Sequence, residues 1–139
     1  MAKRYDAIPA SHVDILESLC TAHVATIRPD GQLSNHPVSL VWDGEYVRFS
    51  TTKGRLKYRN LLADPRVAIS VTHPDNAWRY LEIRGTAKIE DDVGRVFIDS
   101  IARKYMGRDD YPFDAPGAER VVVTVHPTQV SAADVSDGS

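Results

Sequence analysis

Cysteine is almost missing from this chain, where Cys20 stands alone. A single thiol can neither close an internal disulfide nor supply a thiolate pair to a metal. The sequence therefore reads as a reduced, cytoplasmic protein whose cysteine fills core space. No apolar run approaches the roughly 20 residues that cross a bilayer, and the start, MAKRYDAIPA, has cations with no apolar stretch behind them. Neither a membrane partner nor export is expected. His12, His23, His36, His73 and His126 never fall at metal-ligand spacing, so no metal site is expected. A Gly-x-Ser-x-Gly elbow, a Walker glycine loop and a Rossmann fingerprint are all absent. Hydrolase, nucleoside-triphosphatase and dinucleotide-dehydrogenase chemistry thus lack their defining parts. Positive charge is not in surplus either. With 17 Lys and Arg against 19 Asp and Glu, the molecule's net field does not attract polyanions, and no nucleic acid partner is expected.

What is present fits one folded unit over residues 1–139, with 42% hydrophobic residues and a length that buries roughly two thirds of the unfolded surface. The segment PASHVDILESLC puts Val13, Leu16, Leu19 and Cys20 at helical spacing behind a candidate Ser11 cap, which predicts a helix over about 10–20. HVATIR, VSLVW and YVRFST follow as strands separated by Asp30-Gly31 and Asp43-Gly44 turns, the pattern of a β-meander. YRNLLADP predicts one or two helical turns, packed through Leu61 and Leu62 and stopped by Pro65. RVAISVTH and YLEIRGTAKIE read as strands. DDVGRVFIDSIARKYM reads as the longest helix, with acids at its start, cations near its end and Val96, Phe97, Ile101 and Tyr105 on its apolar face. The Gly- and Pro-rich stretch 107–117 is a surface loop. ERVVVTVHP and TQVSAADV predict two more strands, and residues 135–139 a frayed tail. Six or seven antiparallel strands with interposed helices favour a closed or nearly closed barrel, because closure removes exposed edges.

One stretch departs from the mixed charge of the rest. From Tyr46 to Ala63 the sequence has Arg48, Lys53, Arg55, Lys57 and Arg59 and no acid. Ser50, Thr51 and Thr52 end a strand there, Gly54 makes a corner, and a helix begins near Leu56. Hydroxyls, a guanidinium, an ammonium and helix N-terminal amides can then converge on an anion such as phosphate. A cationic surface loop paired with acids from elsewhere in the fold accounts for the same composition. Trp78 and Tyr80, two apart on a strand, share a face, which serves either as core or as a flat surface for a ring.

The order LSNHPVSLVWDGEYVRFSTTKGRLKYRNLLADPRVAISV, followed by a Trp-containing strand and GTAKIE, resembles the pyridoxamine 5'-phosphate oxidase-like split β-barrel family, specifically its short deazaflavin-dependent branch. The resemblance runs from about Ala22 to Val125 and rests on NLLADPRV, STTKGRLK and GTA. It implies a mainly β chain with interposed α, folded as an antiparallel six- to seven-stranded split β-barrel, and a homodimer with a cofactor groove at the subunit interface. It further implies that Ser50, Thr51, Thr52, Arg55 and Lys57 hold the phosphate of coenzyme F420 or, alternatively, of FMN. Asn35, His36 and Pro37 would run beside the tricyclic ring, and Trp78, Arg79 and Tyr80 would reach over from the second subunit. True pyridoxamine-phosphate oxidases carry a C-terminal Trp and Arg that TQVSAADVSDGS lacks. They also have an Arg and a Lys where this chain has Asn35 and Leu40, which favours the deazaflavin. The activity implied is an F420-dependent oxidoreductase that transfers hydride between the deazaflavin and a small unsaturated organic substrate, with no catalytic residue assigned. An FMN-binding oxidoreductase and a non-catalytic cofactor carrier are the alternatives.

Overall fold

The computed structural model describes residues 3–135. Eight strands form one antiparallel sheet: β1 (Lys3–Tyr5), β2 (Thr21–Ile27), β3 (Leu33–Ser39), β4 (Val41–Trp42), β5 (Val47–Thr52), β6 (Arg66–His73), β7 (Asn76–Asp91) and β8 (Arg120–Asp134). Three α-helices are interposed: α1 (Val13–Glu17), α2 (Leu56–Ala63) and α3 (Val96–Met106). The strand order is β3-β2-β6-β7-β8-β5-β4, with β1 added along β8. The mainly β split-barrel class therefore holds, although the count exceeds six or seven because short β1 and β4 join the sheet.

The predicted meander is corrected by this order. β2 and β3 do form a hairpin, in which Gly31 takes φ 85° and Asp30 Oδ1 accepts from the Gln32 amide. β4 and β5 form another around Gly44, at φ 98°. β5, however, pairs with β8 rather than with β3, and β3 and β4, consecutive in the chain, lie at opposite ends of the sheet order. The run VSLVW breaks at Leu40, which is fully buried. Its carbonyl accepts from Lys104 Nζ and Tyr105 Oη of α3 instead of joining a ladder. Side chains from a distant helix thus satisfy the backbone where the sheet is split.

Pro37 sits inside β3 without harm because β3 is a sheet edge, where a missing amide donor costs no ladder bond. The two predicted C-terminal strands are one continuous strand, β8. Pro127 falls at a register shift against Arg84 and Gly85, and Thr128, the extra residue, donates through its hydroxyl to the Arg84 carbonyl. Gly85 is required at this bulge: a Cβ there would lie 2.2 Å from the His126 carbonyl oxygen.

The core lies inside the curl. Val24, Phe49, Ile69, Leu81, Ile83 and Val123 meet there, each from the inward-facing set of its strand. Three helix readings need correction. The N-terminal helix is a 3-10 turn (Ala10–His12) running into α1 and stops at Glu17. It has no side-chain cap from Ser11, and Leu19 is 62% exposed beyond its end. On α2, Leu61 is buried but Leu62 is 60% exposed, since adjacent helical residues point about 100° apart. On α3 the inward face is Ile98, Ile101 and Ala102 with Tyr105 partly buried, while Val96 is exposed. The phase differs because the helix starts only after a kink at Gly94 and Arg95, both in the left-handed region, where the Asp92 carboxylate caps the amides of Phe97 and Ile98. The predicted tail at 135–139 lies, apart from Val135, outside the described residues.

Candidate functional site

The end of β3, the end of β5, the start of α2, one face of α3 and the first residue of β8 line a cleft of about 220 Å³. Its polar wall is Ser39, Ser50, Thr51, Arg55, Lys57 and Arg120. Its apolar wall includes Pro37, Val38, Ile98, Ile101 and Met106, with Tyr105 and Tyr111 completing the lining. β5 positions the hydroxyls. Val47 and Phe49 point into the core, and the same alternation buries Thr51, which is 2% exposed, at the rim of the cleft. Thr51 Oγ1 has no hydrogen-bond partner among the described residues. An unpartnered buried hydroxyl is unfavourable by itself, so this atom is available to a ligand.

Lys57 is 9% exposed and no acid among the described residues pairs with it. Burial, and then the nearby charges of Arg55 and Arg120, push its ammonium below the ordinary lysine range. Arg55 is the N-cap residue of α2 and likewise has no carboxylate partner. The first-turn amides of α2 beside these cations have no intrahelical acceptor. Three cations, a free hydroxyl and a helix N-terminus therefore face one polar hollow, which fits a phosphate group.

The basic run divides. Lys53 is paired with Asp91 and Glu119, at 3.0 and 3.1 Å, and Arg48 lies 2.9 Å from Asp43. Those two are neutralised within the fold, whereas Arg55 and Lys57 line the cleft. Of the other residues expected from the sequence, Ser50, Thr51 and Pro37 join them. Thr52 borders a separate hollow with Lys53. Asn35 and His36 precede Pro37 on β3 without lining the cleft; His36, opposite Val24, keeps a buried Nδ1 with no partner among the described residues. Trp78, Arg79 and Tyr80 lie on β7, away from the lining. Trp78 is 64% exposed, which rules out the core role within this chain. Arg79 is tied to α1, donating to both Asp14 oxygens at 2.7 and 2.9 Å and to the Ser11 carbonyl.

Sequence reasoning missed Arg120. Its Nε and Nη2 donate to Asp114 at 2.8 and 2.6 Å, its Nη1 reaches Ser50 Oγ at 3.3 Å, and its guanidinium lies 4.9 Å from the centre of the Tyr111 ring. Burial opposes the Arg120 charge, but the hydrogen bond and charge of Asp114, together with Tyr111, outweigh it and the guanidinium is held more firmly protonated. A cation opening a strand after a loop is too common a pattern to single it out. Tyr105, on the apolar side, donates to the Leu40 carbonyl at 2.6 Å, and its oxygen is 3.7 Å from Cys20 Sγ. Burial raises its phenol above the ordinary range, so it stays protonated with its hydrogen on the Leu40 carbonyl. Among the described residues no group of three or more His, Cys, Asp or Glu could hold a metal ion, and no helix is long and apolar enough to cross a membrane.

A curled antiparallel sheet, open between β3 and β4 and bearing a cationic cleft at the N-terminus of α2, defines a split β-barrel protein. The family model described as pyridoxamine 5'-phosphate oxidase matches residues 8–134, and the chain belongs to that family. A solved structure named F420 reductase is 39% identical, with a TM-score of 0.78 over 89% of this chain and 98% of its own. A conserved hypothetical protein from Mycobacterium tuberculosis is 24% identical, with a TM-score of 0.75 over 99% of this chain and 92% of its own. General Stress Protein 26 from Bacillus anthracis is 18% identical, with a TM-score of 0.67 over 88% of this chain and 91% of its own. The last two share the fold. No curated protein matches the chain.

Proposed function

We propose that this protein is an F420-dependent oxidoreductase that seats the phosphate of its coenzyme in the cleft between β5 and α2. The observation that carries the reading is the pair of buried groups without partners, Thr51 Oγ1 and the Lys57 ammonium, in one hollow with Arg55 and Arg120. Such a set is unfavourable when empty and favourable around an anion. The likeness to the F420 reductase, which spans nearly all of both chains, supports the deazaflavin over FMN.

When bound, the deazaflavin supplies a hydride to an electron-poor unsaturated bond of a small organic molecule. The chain's own part is placement and exclusion of water. Arg55, Lys57, Ser50 and Thr51 fix the anionic end, and Pro37, Val38, Ile98, Ile101 and Met106 give a dry wall beside it. Tyr105 holds that wall in register through its bond to Leu40 and keeps its proton there. A homodimer, with exposed Trp78 and, on the same strand face, Tyr80 reaching the groove of a second copy while Arg79 stays tied to α1, belongs to this proposal; sedimentation of the purified protein tests it.

The decisive experiment titrates the protein with F420 and with FMN, following fluorescence and thermal stabilisation together. Binding of F420 in preference to FMN is expected, and the reverse order would make the protein an FMN oxidoreductase. Replacing Arg55 and Lys57 together by Ala should weaken binding by at least about 3 kcal/mol, since each charge-assisted hydrogen bond is worth about 1.5–3. Consumption of reduced F420 in the presence of activated alkenes separates an enzyme from a carrier. Indifference to both coenzymes would refute the proposal.

A further inference from the structure

The loop 107–117 is held against the cleft by charged groups that the phosphate seat itself does not require. Asp114, only 11% exposed in its side chain, accepts the fork of Arg120 and also lies 3.0 Å from Arg95 Nη1. Tyr111 is fixed at both backbone ends: its amide donates to Asp99 Oδ1 at 3.1 Å and its carbonyl faces Arg95 Nη2 at 3.5 Å. Arg120 thus uses one edge of its guanidinium on Asp114 and turns the remaining nitrogen towards Ser50 and the cleft. Three cations in one hollow repel one another, so without a partner behind it Arg120 would swing away from Arg55 and Lys57.

We propose that Asp114 is a positioning residue of the anion cleft: it holds Arg120 with its Nη1 edge facing the bound phosphate and thereby couples ligand binding to docking of the 107–117 loop. This inference rests on the reading of the cleft as an anion seat, though not on the identity of the coenzyme. Because the coupling is reciprocal, an anion that engages Arg120 also stabilises the docked loop.

The sign of one substitution separates positioning from plain electrostatics. Asp114→Asn removes a negative charge from behind the cleft, so electrostatics alone makes an anion bind more tightly. Loss of positioning makes it bind more weakly. Titration calorimetry with inorganic phosphate should show a Kd about tenfold higher in Asp114→Asn, the equivalent of one lost charge-assisted hydrogen bond. Asp114→Glu keeps the charge but moves it, and should lose affinity in the same direction; it decides the matter should the Asn variant not fold. Asp110→Asn, an exposed acid of the same loop, should leave phosphate affinity unchanged or slightly improved. Phosphate should slow tryptic cleavage at exposed Arg108 in the wild type and lose that effect in Asp114→Asn. Phosphate affinity in the Asn variant equal to or tighter than wild type, or wild-type affinity in the Glu variant, would overturn the proposal. If phosphate binding depends on Asp114 while neither F420 nor FMN binds, the coenzyme assignment fails and this inference stands; if F420 binds and the variants match wild type, this inference alone fails.

Discussion

Replacing Lys57 by Met should make the ligand-free protein more stable and the binding site worse. Met keeps the length and most of the apolar contacts of the lysine stem and removes an ammonium that is 9% exposed, without an acid partner and close to two arginines. Replacing buried charges by apolar groups of similar volume is commonly neutral to stabilising by about 1–4 kcal/mol; because Lys57 reaches the rim of a solvent-open cleft, about 1–2 kcal/mol is expected. For 139 residues unfolding with an entropy of about 2.1 cal/mol/K each, this raises Tm by about 3–7 °C. Phosphate or coenzyme binding should weaken by about 1.5–3 kcal/mol, roughly 10- to 150-fold. The pH dependence gives an independent check. The folded-state ammonium titrates below the ordinary value of 10.5, so between the two values the unfolded chain binds the proton more fully. Stability withheld at neutral pH therefore returns as the pH rises towards 10.5, and the advantage of the Met variant shrinks in alkali. Calorimetric melts of both proteins across this range, with and without phosphate, test all three statements. A ligand-free Met variant that melts below wild type, or that binds phosphate as tightly, would refute the reading of Lys57 as an unpaired cation awaiting an anion.

Thr51→Val should act in the same sense on a smaller scale, adding about 1 kcal/mol of stability by removing an orphaned hydroxyl while weakening phosphate binding; urea unfolding and titration measure the pair. Gly85→Ala drives a Cβ against backbone atoms of His126 and Pro127 and should destabilise the β7–β8 bulge by about 2–4 kcal/mol, read from the urea midpoint. Asp92→Ala strips the cap from the Phe97 and Ile98 amides, and loss of about 1–2 kcal/mol in the same assay is expected. The hydrogen bond from Arg120 holds the Asp114 carboxyl below its ordinary value of 3.8. Its contribution to stability is complete above that pH and is lost as the pH falls through the folded-state value, so Tm should drop less steeply below pH 3.8 in Asp114→Asn than in wild type.

Much of the fold was legible in the sequence because its signals are local. Alternation marked Val67, Ile69 and Val71 as an inward strand face, Asp-Gly pairs marked the two hairpins, and Pro65 marked the end of α2. The motif order from Leu33 to Val71 carried the family resemblance, and composition alone isolated the acid-free run that supplies Arg55 and Lys57. Sequence could not say which cations of that run are free, because the acids that neutralise Lys53 stand at 91 and 119 and meet it only when β5 pairs with β8. Nor could it find Arg120, whose place beside Ser50 follows from strand register, or Asp114, whose effect is exerted through Arg120. Helix phase on α3 and the split at Leu40 were likewise settled only in three dimensions, by a left-handed kink and by side chains some 65 residues away. Periodicity is a property of neighbours along the chain. The pairing of charges depends on distance in space, and curling the sheet is what brings the two unpaired cations, the Asp114-held Arg120 and the unpartnered hydroxyl to one hollow.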